Sequence, residues 1–278
     1  VSIFVVPTVA LALDQERRVR ELTGDSLGYF AYTGDTPFDV KKEIAASIRA
    51  GSQTIVFTSP ESLTGYLAAA FFDAAMLGAI NYFVVDEAHL VDQWGTEFRP
   101  QFQAMAGLRS ELLEVQSREH QPFRTVLMTA TLSPSSTDLI VDLFGNPGPL
   151  EIAISNRLRP EPGYWSAEFS GLDLRTKGIV ESVLNLPRPA IVYCSRPIFA
   201  KKLYKELLDV GFKRAAVFSG DTSDNERKSV LAGFREEKLD LVVATSAFGL
   251  GVDQSDVRTV IHACVPETID RYYQEVGR

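Results

Sequence analysis

Tyr82-Phe83-Val84-Val85-Asp86-Glu87-Ala88-His89 is the stretch that decides how this chain is read. Two aromatic and two β-branched residues in a row suit a strand buried on both faces. The run then ends in two adjacent carboxylates. In a parallel α/β sheet, ligands bind at the carboxyl edge, so this sequence delivers negative charge to the edge that meets them. One carboxylate there can hold Mg2+ on a nucleotide's phosphates, and the other can polarise an attacking water. An acidic first helical turn after a strand end would carry the same pair, since carboxylates are favoured there. The segment behind it, Gln93-Trp94-Gly95-Thr96-Glu97-Phe98-Arg99-Pro100, favours the first reading: it is too aromatic for a plain connector.

Outward from this stretch, short apolar runs alternate with helical patterns. Strands are predicted over 2–6, 27–32, 54–58, 81–85 and 124–129, with helices over 9–22, 39–49 and 61–77. A second series follows, with strands over 190–194, 215–218, 241–244 and 257–262 and helices over 197–210, 224–234 and 267–276. This alternation predicts βαβ units and parallel sheets. Between the series lie Phe144-Gly145-Asn146-Pro147-Gly148-Pro149 and Arg157-Leu158-Arg159-Pro160-Glu161-Pro162-Gly163, both dense in chain breakers. They place a domain boundary near residue 155, giving domains 1–155 and 156–278.

A chain of 278 residues, 45% of them hydrophobic, has material for two ordinary domains. The longest apolar candidate, 66–80, contains Asp73 and is too short to span a bilayer, so no membrane partner is expected. Cys194 and Cys264 lie far apart and the three histidines are scattered, which suits a reducing compartment and offers no zinc-ligand spacing. The net charge of −8 is uneven: residues 1–155 hold 10 Lys/Arg against 19 Asp/Glu, and residues 156–278 hold 18 against 17. A groove that follows a phosphate backbone needs local donors, so this acidity excludes only strong, indiscriminate nucleic-acid binding. The chain has no initiator Met and opens inside an apolar strand, which reads as a piece of something longer.

Further motifs fall at predicted strand ends. Val6-Pro7-Thr8 and Thr58-Ser59-Pro60-Glu61 are strand-to-helix corners whose backbone amides can meet a phosphate. Both are also ordinary helix N-termini, with Thr8 and Ser59 as caps. Thr129-Ala130-Thr131 places two hydroxyls after a strand. In the second half come Ser195-Arg196, Ser219-Gly220-Asp221 with Arg227, and the long run from Val243 through Thr245 and Gly249-Leu250-Gly251-Val252-Asp253. The chain closes on Tyr272-Tyr273-Gln274-Glu275-Val276-Gly277-Arg278, where Gln274 and Arg278 are four apart and share a helix face. His262 and Cys264 are expected to be strand packing.

In this order, the motifs resemble those of RecQ-like DNA helicases of superfamily 2. Asp86-Glu87-Ala88-His89 resembles motif II, and the segment from Gln93 to Pro100 the aromatic-rich loop. Thr96 and Glu97 stand where that family usually has His and Asp. Val6-Pro7-Thr8 resembles motif Ia, Thr129-Ala130-Thr131 motif III, and Ile191 to Arg196 motif IV. The runs from Val243 to Asp253 and from Tyr272 to Arg278 resemble motifs V and VI.

The resemblance implies an α/β fold of two tandem RecA-like domains, each a mainly parallel sheet flanked by helices, using ATP and Mg2+. It assigns Mg2+ to Asp86 and the attacking water to Glu87. Nucleotide contacts fall to Asp253, Gln274 and Arg278, the last two helping to complete the catalytic site. Contacts to DNA, single-stranded or partly unwound, fall to Pro7, Thr8, Thr58, Pro60, Glu61, Trp94, Phe98, Arg99, Ser195, Arg196, Ser219, Gly220 and Thr245. Coupling between the two functions falls to His89, Gln93, Thr129 and Thr131.

A role in DNA repair or recombination follows from the same likeness, with a cytoplasmic location, or a nuclear one in a eukaryote. Protein partners are not legible. No Gly-x-x-x-x-Gly-Lys-Ser/Thr occurs, and by the resemblance that loop belongs just before Val1, so the 278 residues alone are expected to be inactive. Two other readings stay open: a helicase-like scaffold that binds nucleic acid without hydrolysis, and an RNA helicase.

Overall fold

The computed structural model describes residues 1–23, 28, 30–90, 100–155, 160–248 and 257–277. The chain forms two compact units, Val1–Ile154 and Ser155–Arg278. Unit 1 is built on five parallel strands: β1 (Ser2–Val5), β2 (Ala31–Tyr32), β3 (Ile55–Thr58), β4 (Tyr82–Val85) and β5 (Arg124–Leu127), in the order β2-β3-β1-β4-β5. Unit 2 has four parallel strands: β6 (Ala190–Tyr193), β7 (Ala215–Phe218), β8 (Leu241–Ala244) and β9 (Thr259–His262), in the order β7-β8-β6-β9.

Register is what positions the site. Val5 pairs with both Thr58 and Val85, Val85 with Leu127, and Tyr32 with Thr58, so all five strands of unit 1 end level. In unit 2, Tyr193 pairs with Ala244 and His262, and Phe218 with Ala244, to the same effect. Every segment that follows a strand therefore emerges on one edge of its sheet. Side chains alternating along the strands fill the core on both faces. In β6, Ala190 and Val192 face the cluster with Leu203, Leu207 and Val243, while Ile191 and Tyr193 face Phe218, Phe234 and Phe248. Full burial of such a side chain contributes about 1.5–3 kcal/mol, and this is why the central strands read as unbroken apolar runs.

The sequence pattern differs from the structure in several places. The helix expected over 61–77 is two, Pro60–Thr64 and Ala68–Met76, parted at Gly65. Its backbone leaves the helical region (φ −101°, ψ −104°), and a Cβ there would come within 2.9 Å of the Glu61 carbonyl oxygen. Helices Pro100–Ser117, Pro134–Phe144 and Leu172–Asn185 were not expected. The second had its signal in plain view: Ser133 caps it through the Ser136 N–H, with Pro134 in its first turn. β5 stops at Leu127 instead of 129, leaving Thr129 free of strand pairing.

Candidate functional site

The carboxylate pair sits where β4 leaves the sheet. The Asp86 N–H donates to the Val5 carbonyl, and the Ala88 N–H donates to the Met128 carbonyl, each at 2.9 Å, so the turn is tied to both neighbouring strands. Glu87 lies in the left-handed region at φ +50°, a conformation that costs a non-glycine residue roughly 1–2 kcal/mol. Its own N–H donates back to Asp86 Oδ1 at 2.9 Å. Burial pushes the Asp86 carboxyl above its ordinary range, and the Glu87 N–H and His89 only partly oppose this. A half-buried carboxylate in that condition gains from a divalent cation beside it, so the residues present fit the Mg2+ that the sequence implies.

His89 is buried behind the pair. Its Nδ1 lies 2.8 Å from Thr129 Oγ1 and 3.4 Å from Glu87 Oε2. Thr129 Oγ1 is also 2.6 Å from the Thr131 carbonyl, to which it donates its one proton. It must then accept from His89, which fixes the proton on Nδ1. The Thr131 N–H donates to the same oxygen at 3.3 Å. Asp86, Glu87, His89, Thr129 and Thr131 thus form one connected group across β4 and β5.

The other unit 1 candidates occupy the same edge with different accessibility. Thr8 is half-buried and caps helix Val9–Thr23 by accepting from the Leu11 N–H at 3.2 Å. Pro7, Thr58 and Pro60 are buried, whereas Glu61 is partly exposed. At these three enclosed positions only backbone and shape are available to a ligand. Thr58 Oγ1 has no hydrogen-bond partner among the described residues. A third corner escaped sequence reading: after β2, Thr36 Oγ1 accepts from the Thr33 N–H and donates to the Ala31 carbonyl, both at 3.0 Å, and Lys41 Nζ donates to the Gly34 carbonyl at 2.9 Å. Its signal was Thr33-Gly34-Asp35-Thr36-Pro37 between an apolar pair and a helix.

In unit 2, Ser195 and Arg196 are exposed at the end of β6, just before helix Pro197–Asp209. Ser219 is fully buried and its Oγ accepts from the Asp221 N–H at 3.3 Å, while Gly220 is exposed. Arg227 donates to the carbonyls of Ser219 and Gly220, at 3.4 and 3.0 Å, and Lys201 Nζ meets Asp221 Oδ2 at 2.9 Å. Thr245 is buried, its N–H donating to the Phe218 carbonyl at 3.0 Å. Gln274, partly buried, rides on helix Ile269–Val276, which Thr268 caps.

His262 does more than pack: its Nε2 lies 2.8 Å from Glu275 Oε2 on that helix. No spacing rule pairs residues thirteen apart, so the sequence gave no sign of it. Gln93, Trp94, Phe98, Arg99, Asp253 and Arg278 lie outside the described residues.

Residues 1–140 match the model of the DEAD/DEAH box helicase family, and residues 178–278 match that of the helicase conserved C-terminal domain. The whole chain aligns with the RecQ-like DNA helicase blm-1 of Caenorhabditis elegans at 32% identity, covering 27% of that protein. It aligns equally fully with the ATP-dependent DNA helicase RecQ of Pasteurella multocida at 25% identity, covering 41% of it. The chain thus spans less than half the length of these relatives. Its fold matches the DUF1998 helicase MrfA bound to DNA and AMPPNP, with a TM-score of 0.76 at 20% identity over 99% of this chain and 39% of that one. It also matches the Mycobacterium smegmatis helicase Lhr bound to single-stranded DNA and AMP-PNP, with a TM-score of 0.71 at 24% identity over 100% and 38%. Two parallel α/β units with level strand ends, motifs at those ends and these alignments agree: the chain belongs to the DEAD/DEAH box helicase family, and its kinship there is with the RecQ-like helicases.

Proposed function

We propose that this protein is an ATP-dependent DNA helicase or translocase of RecQ-like type, hydrolysing Mg-ATP to move on single-stranded or partly unwound DNA. The observation that carries this reading is the connected group at the end of β4. Two carboxylates held by backbone hydrogen bonds lie beside a buried histidine that touches a hydroxyl on the next strand. When bound, Mg-ATP supplies the phosphoryl group and the cation that neutralises its charge. Asp86 holds that cation, relieved by it of the cost of its own burial. Glu87 accepts the proton of the attacking water, and its left-handed backbone turns its carboxylate off the line of the strand. His89 and Thr129 link that carboxylate to the end of β5 and transmit its state. The strand-end corners at Thr8 and Glu61, and at Ser195, Arg196 and Gly220, offer backbone amides and accessible polar groups to a DNA backbone. Pro7, Thr58, Pro60, Ser219 and Thr245 shape those corners from within. Gln274, with Asp253 and Arg278, is the second unit's contribution to the nucleotide.

The test is Glu87→Gln in the intact protein. The amide keeps the shape and loses the base, so nucleotide binding should persist while DNA-stimulated turnover falls by about 10²–10⁴. Near-normal turnover in that variant sinks the assignment. Failure of both variant and unmodified protein to hydrolyse ATP, with DNA binding retained, would favour a silent nucleic-acid-binding scaffold.

A further inference from the structure

Helix Ile269–Val276 is eight residues long, too short to hold its shape unaided. The residue it buries is not apolar: it is Glu275, whose side chain is 7% exposed. Two donors meet that carboxylate, His262 Nε2 at 2.8 Å and Arg271 Nε at 3.5 Å. His262 is itself held firmly. It is the last residue of β9, level with Tyr193, and its ring stacks on Tyr193 at 5.6 Å and lies 5.0 Å from Tyr272. Burying a carboxylate is costly unless it is hydrogen-bonded, so the helix has one favourable rotation about its axis, the one that brings Glu275 to His262. Helical geometry carries this further. Arg271, Tyr272 and Glu275 share the inward face, and Gln274 stands about 100° round from Glu275, on the face that a residue four further on also shares.

We propose that His262 is a positioning residue for the reaction: through Glu275 it sets the rotation of the helix that presents Gln274. This rests on the reading above, in which Gln274 meets the nucleotide. It goes beyond the resemblance, which gives neither His262 nor Glu275 a role. The pairing also accounts for a histidine at the end of an otherwise apolar strand, where packing alone would be served as well by leucine.

Four variants of the intact protein decide it: His262→Ala, Glu275→Ala, the double variant and His262→Gln, whose amide nitrogen can reach the place of Nε2. Two measurements are made on each: steady-state ATPase with saturating DNA, and hydrogen exchange over residues 269–276. Both alanine variants should raise KM for ATP by about tenfold, the scale of one lost buried hydrogen bond to a charged group, with a smaller change in kcat. The double variant should be no worse than either single one, because the pair acts as a unit. Exchange over 269–276 should quicken in all three, and His262→Gln should return both measurements to within about twofold of the unmodified protein. Unchanged KM in a folded His262→Ala variant, additive effects in the double variant, or unchanged exchange each overturns the proposal. If the unmodified protein lacks ATPase, the functional reading fails. The exchange pattern then still decides whether His262 holds the helix.

Discussion

The two units repeat one topology and differ in what they place on it. In each, the first strand lies between the third and the fourth, with the second at the far edge, and all strands end level. Each also ends its fourth strand near a histidine that touches a carboxylate: His89 near Glu87, and His262 on Glu275. The resemblance stops there. Glu87 sits in the turn itself, in a strained left-handed conformation with its side chain 26% exposed, open to a ligand. Glu275 sits on the following helix, 7% exposed and shielded by two donors. The same device therefore presents a reactive carboxylate in unit 1 and anchors a helix in unit 2. A shared fold sets where a strand end lies; the residues placed there set what it does.

The comparison breaks most visibly if unit 1's carboxylates are not the reactive ones. Asp86→Asn should lower DNA-stimulated ATPase by on the order of 10²–10⁴, comparable to loss of a catalytic group. It should also stabilise the protein when nucleotide and Mg2+ are absent. Burial raises the folded-state pKa of Asp86, so the folded chain holds that proton more tightly than the unfolded one. Stability falls as pH climbs from the ordinary carboxyl value through the raised one, and stays lower at neutral pH. The uncharged amide removes this, so Tm should rise at pH 7 and be unchanged well below the ordinary carboxyl range. A lower Tm at pH 7 would contradict the burial argument.

A smaller effect tests whether the unit 1 histidine transmits rather than anchors. Thr129→Val removes the hydroxyl that accepts from His89 and donates to Thr131. Nucleotide affinity should hold while stimulation of turnover by DNA drops by about tenfold, the scale of one lost hydrogen bond to a charged or polarised group. Equal losses of basal and stimulated rates would make His89 a plain anchor, like His262.

The slightest difference is in the thiols of unit 2. Burial pushes Cys194 up to about 11, and Cys264, partly exposed, is also raised. Alkylation at pH 8 should label Cys264 slowly and Cys194 only after unfolding, as a mass measurement of each site would show. Equal labelling of both in the folded protein would mean that the core beneath β6 opens.

What the sequence by itself determined was whatever is written in consecutive residues. Alternating apolar runs and helical periods marked the βαβ order, chain breakers marked a boundary near 155, and strand-end motifs marked the family. The segment from Gln93 to Arg99 remains a reading of sequence alone. Tertiary structure decided what depends on pairing between distant segments. Register levelled the strand ends and so brought Thr8, Glu61 and Asp86 to one edge. Burial enclosed Thr58, Ser219 and Thr245, which as letters look like any exposed hydroxyl. Packing split the 61–77 helix at Gly65, where no side chain fits. The link from His262 to Glu275 joins a strand to a helix across a turn. Local propensity is blind to it because hydrogen bonds and burial between elements are non-local, and only the folded chain brings those atoms within reach.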